Sequence, residues 1–268
     1  MNLHRIRVRK ASGEYEPFSV KKVRSSLQRA GADEALINQV LAYLKKHLYD
    51  GIPTKKIYQK VYRLLNQLKH PLSLKYNLKE AIMALGPSGY PFEKFVAGVL
   101  AHQDYQTKTN QIVQGRCISH EIDVIAQKDN QCWMIECKFH NRPGTKSDIK
   151  EALYTYARFL DVAQTGQFSQ GLLVTNTKAT AQAIKYARCV KLMILSWNYP
   201  PNKSLRFLIE KSGLHPVTCL GNLNKDEKKR ILQSGIIFSH DLLKKNTKDK
   251  LPPALLKKAR SEAQRLAK

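Results

Sequence analysis

The stretch HEIDVIAQKDNQCWMIECKFH places carboxylates inside two segments that otherwise read as sheet interior. Ile122, Val124, Met134 and Ile135 flank the charges, and Lys128-Asp129-Asn130-Gln131 reads as the turn joining two strands, about 118–127 and 132–139. Residues two apart on a strand share a face, so Glu136 and Lys138 project together while Cys137 points the other way. A turn centred on Asp129-Asn130 puts Asp123 directly opposite Glu136, with Cβ atoms roughly 4.5–5.5 Å apart. Charge in a central strand is costly unless it is paired or used, so this convergence marks a candidate site. Two hard oxygen donors on neighbouring strands suit Mg²⁺ or Mn²⁺, and a lysine beside them suits charge developing on a phosphate. A cross-strand ion pair on a solvated face is the structural alternative.

The 46 Lys and Arg residues outnumber the 21 Asp and Glu, giving a formal net charge of +25. Residues 1–88 carry 17 basic and 6 acidic side chains, residues 89–200 carry 13 and 9, and residues 201–268 carry 16 and 6. The flanks therefore attract polyanions while the middle is nearly balanced. No basic amphipathic anchor, lipidation motif, long apolar run or apolar N-terminal core occurs, so the expected partner is nucleic acid rather than membrane and the expected location is the cytoplasm. The five cysteines form no CxxC pair, which argues against a disulfide framework or a zinc cage.

The chain has the length of two domains and a small third unit. A hairpin is expected over His4–Lys10 and Tyr15–Phe18 around Ser12-Gly13, with Leu3 in its alternating pattern. Helices are expected over 20–30, capped by Ser19 and ended by Gly31, then over 35–49, 54–68 and from Pro71 to about Leu85. Gly86-Pro87-Ser88-Gly89 reads as a linker. Next come a helix over 92–103, the two acidic strands, a helix over 146–163, a strand over 171–175, a helix over 179–188 and a strand over 191–197. Beyond Pro200-Pro201 the chain is short, basic and helical, and no internal repeat is evident.

VRKASGEYEPFSVKKV, with the helix order behind it, makes residues 8–85 resemble the ATP-cone, a small nucleotide-binding regulatory domain. The resemblance implies that Lys10 and Lys22 hold the phosphates of ATP or dATP, with Val8 beside the base. The sequence departs from the family in having Ala11 where Arg usually follows the hairpin lysine. From Gly89 to Trp197, GYPFEKFVAGVL, EIDVIA, IECK and GLLVTNTKATAQAIKYA match in order the Mrr-type restriction endonuclease domain, a branch of the PD-(D/E)XK nucleases. That resemblance implies Asp123, Glu136 and Lys138 as the catalytic set, with Asp123, Glu136 and Glu93 as metal ligands. Many Mrr-type members carry Gln-x-Lys, whereas Glu136 supplies the more usual acid of the superfamily.

The expectation is an α/β protein: a hairpin-plus-helices cone (1–88), a restriction-endonuclease-like mixed sheet flanked by helices (89–200) and a basic helical tail (201–268). Its expected activity is Mg²⁺-dependent hydrolysis of phosphodiester bonds in DNA, under control of a nucleotide effector. A Holliday-junction-type resolvase and a non-catalytic, nucleotide-responsive DNA-binding protein are the alternatives, RNA stays open as a substrate, and self-association is compatible with all of them. No GxxxxGK[ST] loop occurs, so hydrolysis of the nucleotide as a power source is not expected. His120, Glu121 and His140 flank the acids and read as loop-end polar residues or phosphate contacts, and Cys132 and Cys137 as small core residues.

Overall fold

The computed structural model describes residues 6–267, and the part of the expected hairpin at Leu3 and His4 lies outside them. β1 (Arg7–Arg9) and β2 (Tyr15–Pro17) pair antiparallel, with Arg7 opposite Pro17. Ser19 then caps α1 (Val20–Ala30) by accepting from the Lys22 amide, and Gly31 ends it in the left-handed region. Asp33 caps α2 (Glu34–His47) in the same way. β3 (Ile52–Pro53) returns parallel to β1, giving the order β2-β1-β3, and leads into α3 (Thr54–Leu68). Val8, Leu27, Ile37, Val40, Ile52, Val61 and Leu65 form the core of this unit. The single helix expected after Pro71 is two helices, α4 (His70–Tyr76) and α5 (Leu78–Met83), because the chain breaks at Asn77. There the Asn77 side chain accepts from the Tyr58 hydroxyl.

The second unit runs α6 (Tyr90–Ala101), β4 (Gln106–Gln114), β5 (Ser119–Lys128), β6 (Gln131–Lys138), β7 (Lys146–Ser147), α7 (Ile149–Ala163), β8 (Gln170–Thr175), β9 (Lys178–Ala179), α8 (Ala181–Cys189) and β10 (Met193–Leu195). Its main sheet has the order β10-β8-β6-β5-β4, with β4, β5 and β6 antiparallel and β6, β8 and β10 parallel. α6 covers one face through Phe92, Phe95 and Val96 against Val124, Ile135 and Val174. α7 covers the other, Val162 and Phe159 packing on Met134 and Ile125. Edge strand β4 was not expected from the sequence. QTKTNQIVQ carries apolar side chains only near its end, as suits a strand bonded on one side.

The helical region expected over 201–268 is built from α9 (Leu205–Ser212), α10 (Lys225–Gln233) and α11 (Pro253–Ala267). It does contain an internal repeat, contrary to the reading of the sequence. Ile209-x-x-Ser212-Gly213-Leu214-x-Pro216-x-x-x-Leu220 is matched by Ile231-x-x-Ser234-Gly235-Ile236-x-Phe238-x-x-x-Leu242. Each copy is a helix, a left-handed glycine, an extended step and a short 3-10 helix. The two extended steps pair with each other through Val217 N to Ile237 O (2.9 Å) and Ser239 N to His215 O (2.9 Å). Few identities survive between the copies, which is why the repeat escapes a reading by letters.

Apolar side chains of this region join the same hydrophobic cluster as α6 and the sheet. Phe238 packs on Phe95 with ring centroids 5.1 Å apart, over Gly98. The region also reaches α5, where Thr218 Oγ1 donates to Ala81 O at 2.7 Å, and the cone, where Arg29 pairs with Glu210 at 3.4 Å. A methyl at Gly98 would run into the Phe238 ring. Gly98→Ala is therefore predicted to lower stability by about 1–3 kcal/mol, the ordinary cost of overpacking a core. Urea unfolding checks this, and an unchanged midpoint would show that α6 and the C-terminal unit do not pack this closely.

Candidate active site

Asp129 and Asn130 both adopt positive φ, 49° and 60°, the backbone of a two-residue hairpin turn that matches strand twist. From this turn the β5–β6 ladder runs from Lys128↔Gln131 to Val124↔Ile135, the register anticipated from the sequence. Beyond that pair the strands open. Asp123 turns its carboxylate onto β6, where Oδ2 accepts from the Cys137 amide at 2.7 Å. On the other side, Asn110 of β4 drops out of the ladder between Thr109↔Val124 and Gln111↔Ile122. It takes φ 51°, and its Nδ2 donates to Glu93 Oε2 at 3.0 Å. Glu93 enters from the first turn of α6.

Asp123, Glu136, Lys138 and Glu93 are thus brought together electrostatically. Burial raises the Glu136 carboxyl to about 7, and the nearby charge of Asp123 adds to the effect. Asp123 is raised by burial, opposed by the Cys137 amide, and Glu93 is raised by burial and then by Asp123. Arg158, on α7, donates to Glu136 Oε2 at 2.6 Å, to Glu121 O at 3.0 Å and to Tyr154 Oη at 2.6 Å. An ion pair of that length by itself pulls a carboxyl down. Here burial and Asp123 outweigh it, because both partners are less than one-fifth exposed. Lys138 is exposed, and its charge favours the ionised form of both strand acids.

Among the described residues, no group of three or more His, Cys, Asp or Glu side chains stands in an arrangement that could hold a metal ion. The groups present fit a hard cation in a more open way. They offer oxygen donors only, they carry carboxylates that resist ionisation together, and Asn110 Oδ1 is buried without a hydrogen-bond partner. Mg²⁺ commonly uses one or two carboxylates and keeps several waters, which such a set can satisfy.

The flanking histidines serve the frame. His120 Nε2 lies 2.8 Å from Asp161 Oδ2, and Asp161 also accepts from the Cys117 amide at 2.8 Å, fixing the β4–β5 loop. His140 Nε2 lies 2.9 Å from Ser147 Oγ, which donates to Thr175 Oγ1 at 3.0 Å. Cys137 is buried in the core.

In the cone, Glu16 holds both Lys10, at 2.7 Å, and Lys22, at 2.9 Å. The two lysines expected to hold phosphate therefore share one carboxylate and leave an excess positive charge at the surface. Val8 sits in the core of the cone at 4% exposure, so its side chain offers packing from beneath. Lys10 and Ala11 line a crevice of about 650 Å³ with Arg9, Lys55, Tyr58 and Lys79. The loop after β6 meets this hairpin, since a Cβ on Gly144 would stand 3.0 Å from Ser12 N. Asn141, in the same loop, donates to Pro87 O at 3.1 Å, so the expected linker is a packed corner.

Arg158 and Asn110 were missed by sequence reasoning. Arg158 falls in line with Thr155 and Val162 on the buried stripe of α7, and an arginine there is the signal that points to it. Asn110 gives no such signal beyond the tolerance of asparagine for positive φ.

Compared with known proteins, the chain matches the ATP cone domain over residues 6–77, a restriction endonuclease domain over residues 86–196 and the AF1548-like C-terminal domain over residues 215–266. An uncharacterized protein of Archaeoglobus fulgidus is 44% identical over 148 residues, which cover 55% of this chain and 83% of that protein. The crystal structure of the protein of unknown function AF1548 superposes with a TM-score of 0.55 at 38% identity, covering 67% of this chain and 95% of that one. With an ATP cone ahead of a restriction-endonuclease-like domain and the matching C-terminal domain behind it, the chain belongs to the AF1548-like family.

Proposed function

We propose that the protein is a Mg²⁺- or Mn²⁺-dependent nuclease that hydrolyses phosphodiester bonds in DNA, with its output set by ATP or dATP at the cone. The observation that carries this reading is the meeting of Asp123, Glu136, Glu93 and Lys138 where β5 and β6 part. Asp123, Glu136 and Glu93 would hold the cation, which when bound supplies charge stabilisation at the scissile phosphate and lowers the pKa of water. Lys138 projects from the same face as Glu136 and neutralises charge as it grows on the phosphoryl oxygens. Asn110 orients Glu93. Arg158 holds Glu136 in place by balancing part of the acid charge, and Tyr154 and the Glu121 carbonyl fix the guanidinium in turn. Buried acids with raised pKa values must lose their protons to take up a cation, so activity is tied to pH.

Asp123→Asn, Glu136→Gln and Lys138→Ala are predicted each to abolish cleavage of linear, supercoiled, methylated and branched DNA in Mg²⁺ or Mn²⁺, with folding retained. At sub-saturating metal the parental rate should rise with pH through about 7 as Glu136 ionises. Arg158→Met removes a charge that favours the carboxylate and should move that rise to higher pH. Near-parental cleavage by any of the three site variants would overturn the assignment, and a flat pH profile would remove Glu136 from the metal site.

The nucleotide part of the reading is supported by the seating of the cone hairpin on the loop that follows Lys138. A ligand that favours one arrangement of that contact would change nuclease output through its differential affinity, typically about 1–3 kcal/mol. Lys10→Ala combined with Lys22→Ala should remove the response to ATP or dATP and leave basal cleavage intact. Calorimetry with the parental protein is the companion test, and absence of binding at millimolar nucleotide would mean that Ala11 marks a cone without a ligand.

A further inference from the structure

α6 carries more than Glu93. Tyr90 and Lys94 lie on the same turn and face a groove of about 720 Å³ whose opposite wall is α10 with Lys225, Lys228 and Lys229. Asp226 is the one acid in its lining. Glu227, which follows it, is taken by Lys258 at 2.8 Å and by the Asn224 amide at 2.7 Å. None of the four groove lysines forms an ion pair among the described residues, whereas Glu210, Glu227 and Asp241 of this region are each paired. Lys228 is partly buried, and burial lowers its pKa while Cys219 and Glu262 act in the opposite direction. Tyr90 is 46% exposed, with Lys94 Nζ 4.3 Å from its ring centroid, so an aromatic face and a cation stand side by side. At the far end Gly235, the left-handed glycine of the second repeat, has nothing within 4 Å of where a side chain would stand, which leaves the backbone open.

Unpaired lysines interleaved with an exposed aromatic are what a single polynucleotide strand requires, phosphates going to the ammonium groups and a base to the ring. Volume narrows the choice. A groove of about 720 Å³ encloses a short length of one strand, whereas a duplex, whose major groove alone is about 12 Å wide, could only lie across the rim. Position supplies the rest, because Glu93, whose carboxylate accepts from Asn110, lies within one turn of both Tyr90 and Lys94 along α6.

We propose that the groove between α6 and α10 is the seat of a single DNA strand, held by Lys94, Lys225, Lys228 and Lys229 and stacked on Tyr90, which leads that strand to the acids around Glu93. The choice of DNA rests on the function proposed above, whereas the strand-binding groove stands on its own residues. The repeat unit of residues 205–243 then builds the binding surface, since its second helix is one wall of the groove and its packing on α6 fixes the width.

Fluorescence anisotropy with a labelled oligothymidylate, in EDTA so that no cleavage intervenes, tests this across a salt series. Lys225→Glu with Lys229→Glu, both at exposed positions, should weaken binding by at least about tenfold and reduce the salt slope by about 1.4, two contacts at about 0.7 each for single strands. Tyr90→Ala should weaken binding by about 5- to 100-fold, the range for loss of one base stack, with little change in salt slope. Lys45→Glu with Lys46→Glu, the same charge change on the remote helix α2, should leave the groove contribution in place. Circular dichroism melts confirm that each variant is folded. Equal losses from the groove pair and the remote pair would overturn the proposal, as would a groove pair that affects only duplex DNA or only RNA. Intact groove-dependent binding in a protein that cleaves no DNA would contradict the nuclease and leave the groove standing. Parental cleavage and binding in the groove variants would do the reverse.

Discussion

Three carboxylates share a space that water reaches only in part, and the facing positive charge comes from one guanidinium and one ammonium. That imbalance is the constraint around which the middle of the protein is arranged. Asp123 is tied to the amide of Cys137, Glu93 to the amide nitrogen of Asn110 and Glu136 to Arg158. Each tie fixes a geometry, and the three together still leave Glu136 with its carboxyl near neutrality at about 7. Replacing such an arrangement by apolar residues would remove a desolvation cost, which is the physical argument behind the proposed site.

The frame supplies the acids from two sheet strands and one helix, and it holds these elements with packing that is independent of the charges. β5 and β6 are locked by their hairpin and by apolar layers on both faces. α6 is pressed onto the sheet by the C-terminal repeat, through Phe95, Gly98 and Phe238. The same C-terminal region touches α5 at Ala81 and the cone at Arg29. The cone hairpin itself meets the loop after Lys138, at Gly144.

Much of this was legible in the sequence wherever a local rule has a single solution. Asp129-Asn130 accepts positive φ at both positions, and that fixes the register as far as Val124↔Ile135, whereas the direct pairing of Asp123 with Glu136 expected from it is not formed, because the strands open there. Ser19 and Gly31 bound α1 by capping chemistry, and the periodic helices of the cone follow their apolar stripes. What could not be read depends on contacts between distant segments. Asn110 matters because it sits where a strand must let a carboxylate through, a fact about β4 that its polar letters do not carry. Arg158 was readable in principle as a charge in a buried stripe, yet its partner is 22 residues away on another element. The tail was read as short basic helices, whereas its apolar positions, shared between two copies with different letters, make it part of the main core.

The central claim is that the acids at the parting of β5 and β6 form a divalent-cation site. Electron paramagnetic resonance of Mn²⁺ titrated into the DNA-free protein measures this without reference to cleavage. The account predicts saturable loss of the free-Mn²⁺ signal with the parental protein, and a marked loss of that binding in Asp123→Asn and in Glu136→Gln. Binding that is the same in the parental protein and both variants would place the metal elsewhere and contradict the account.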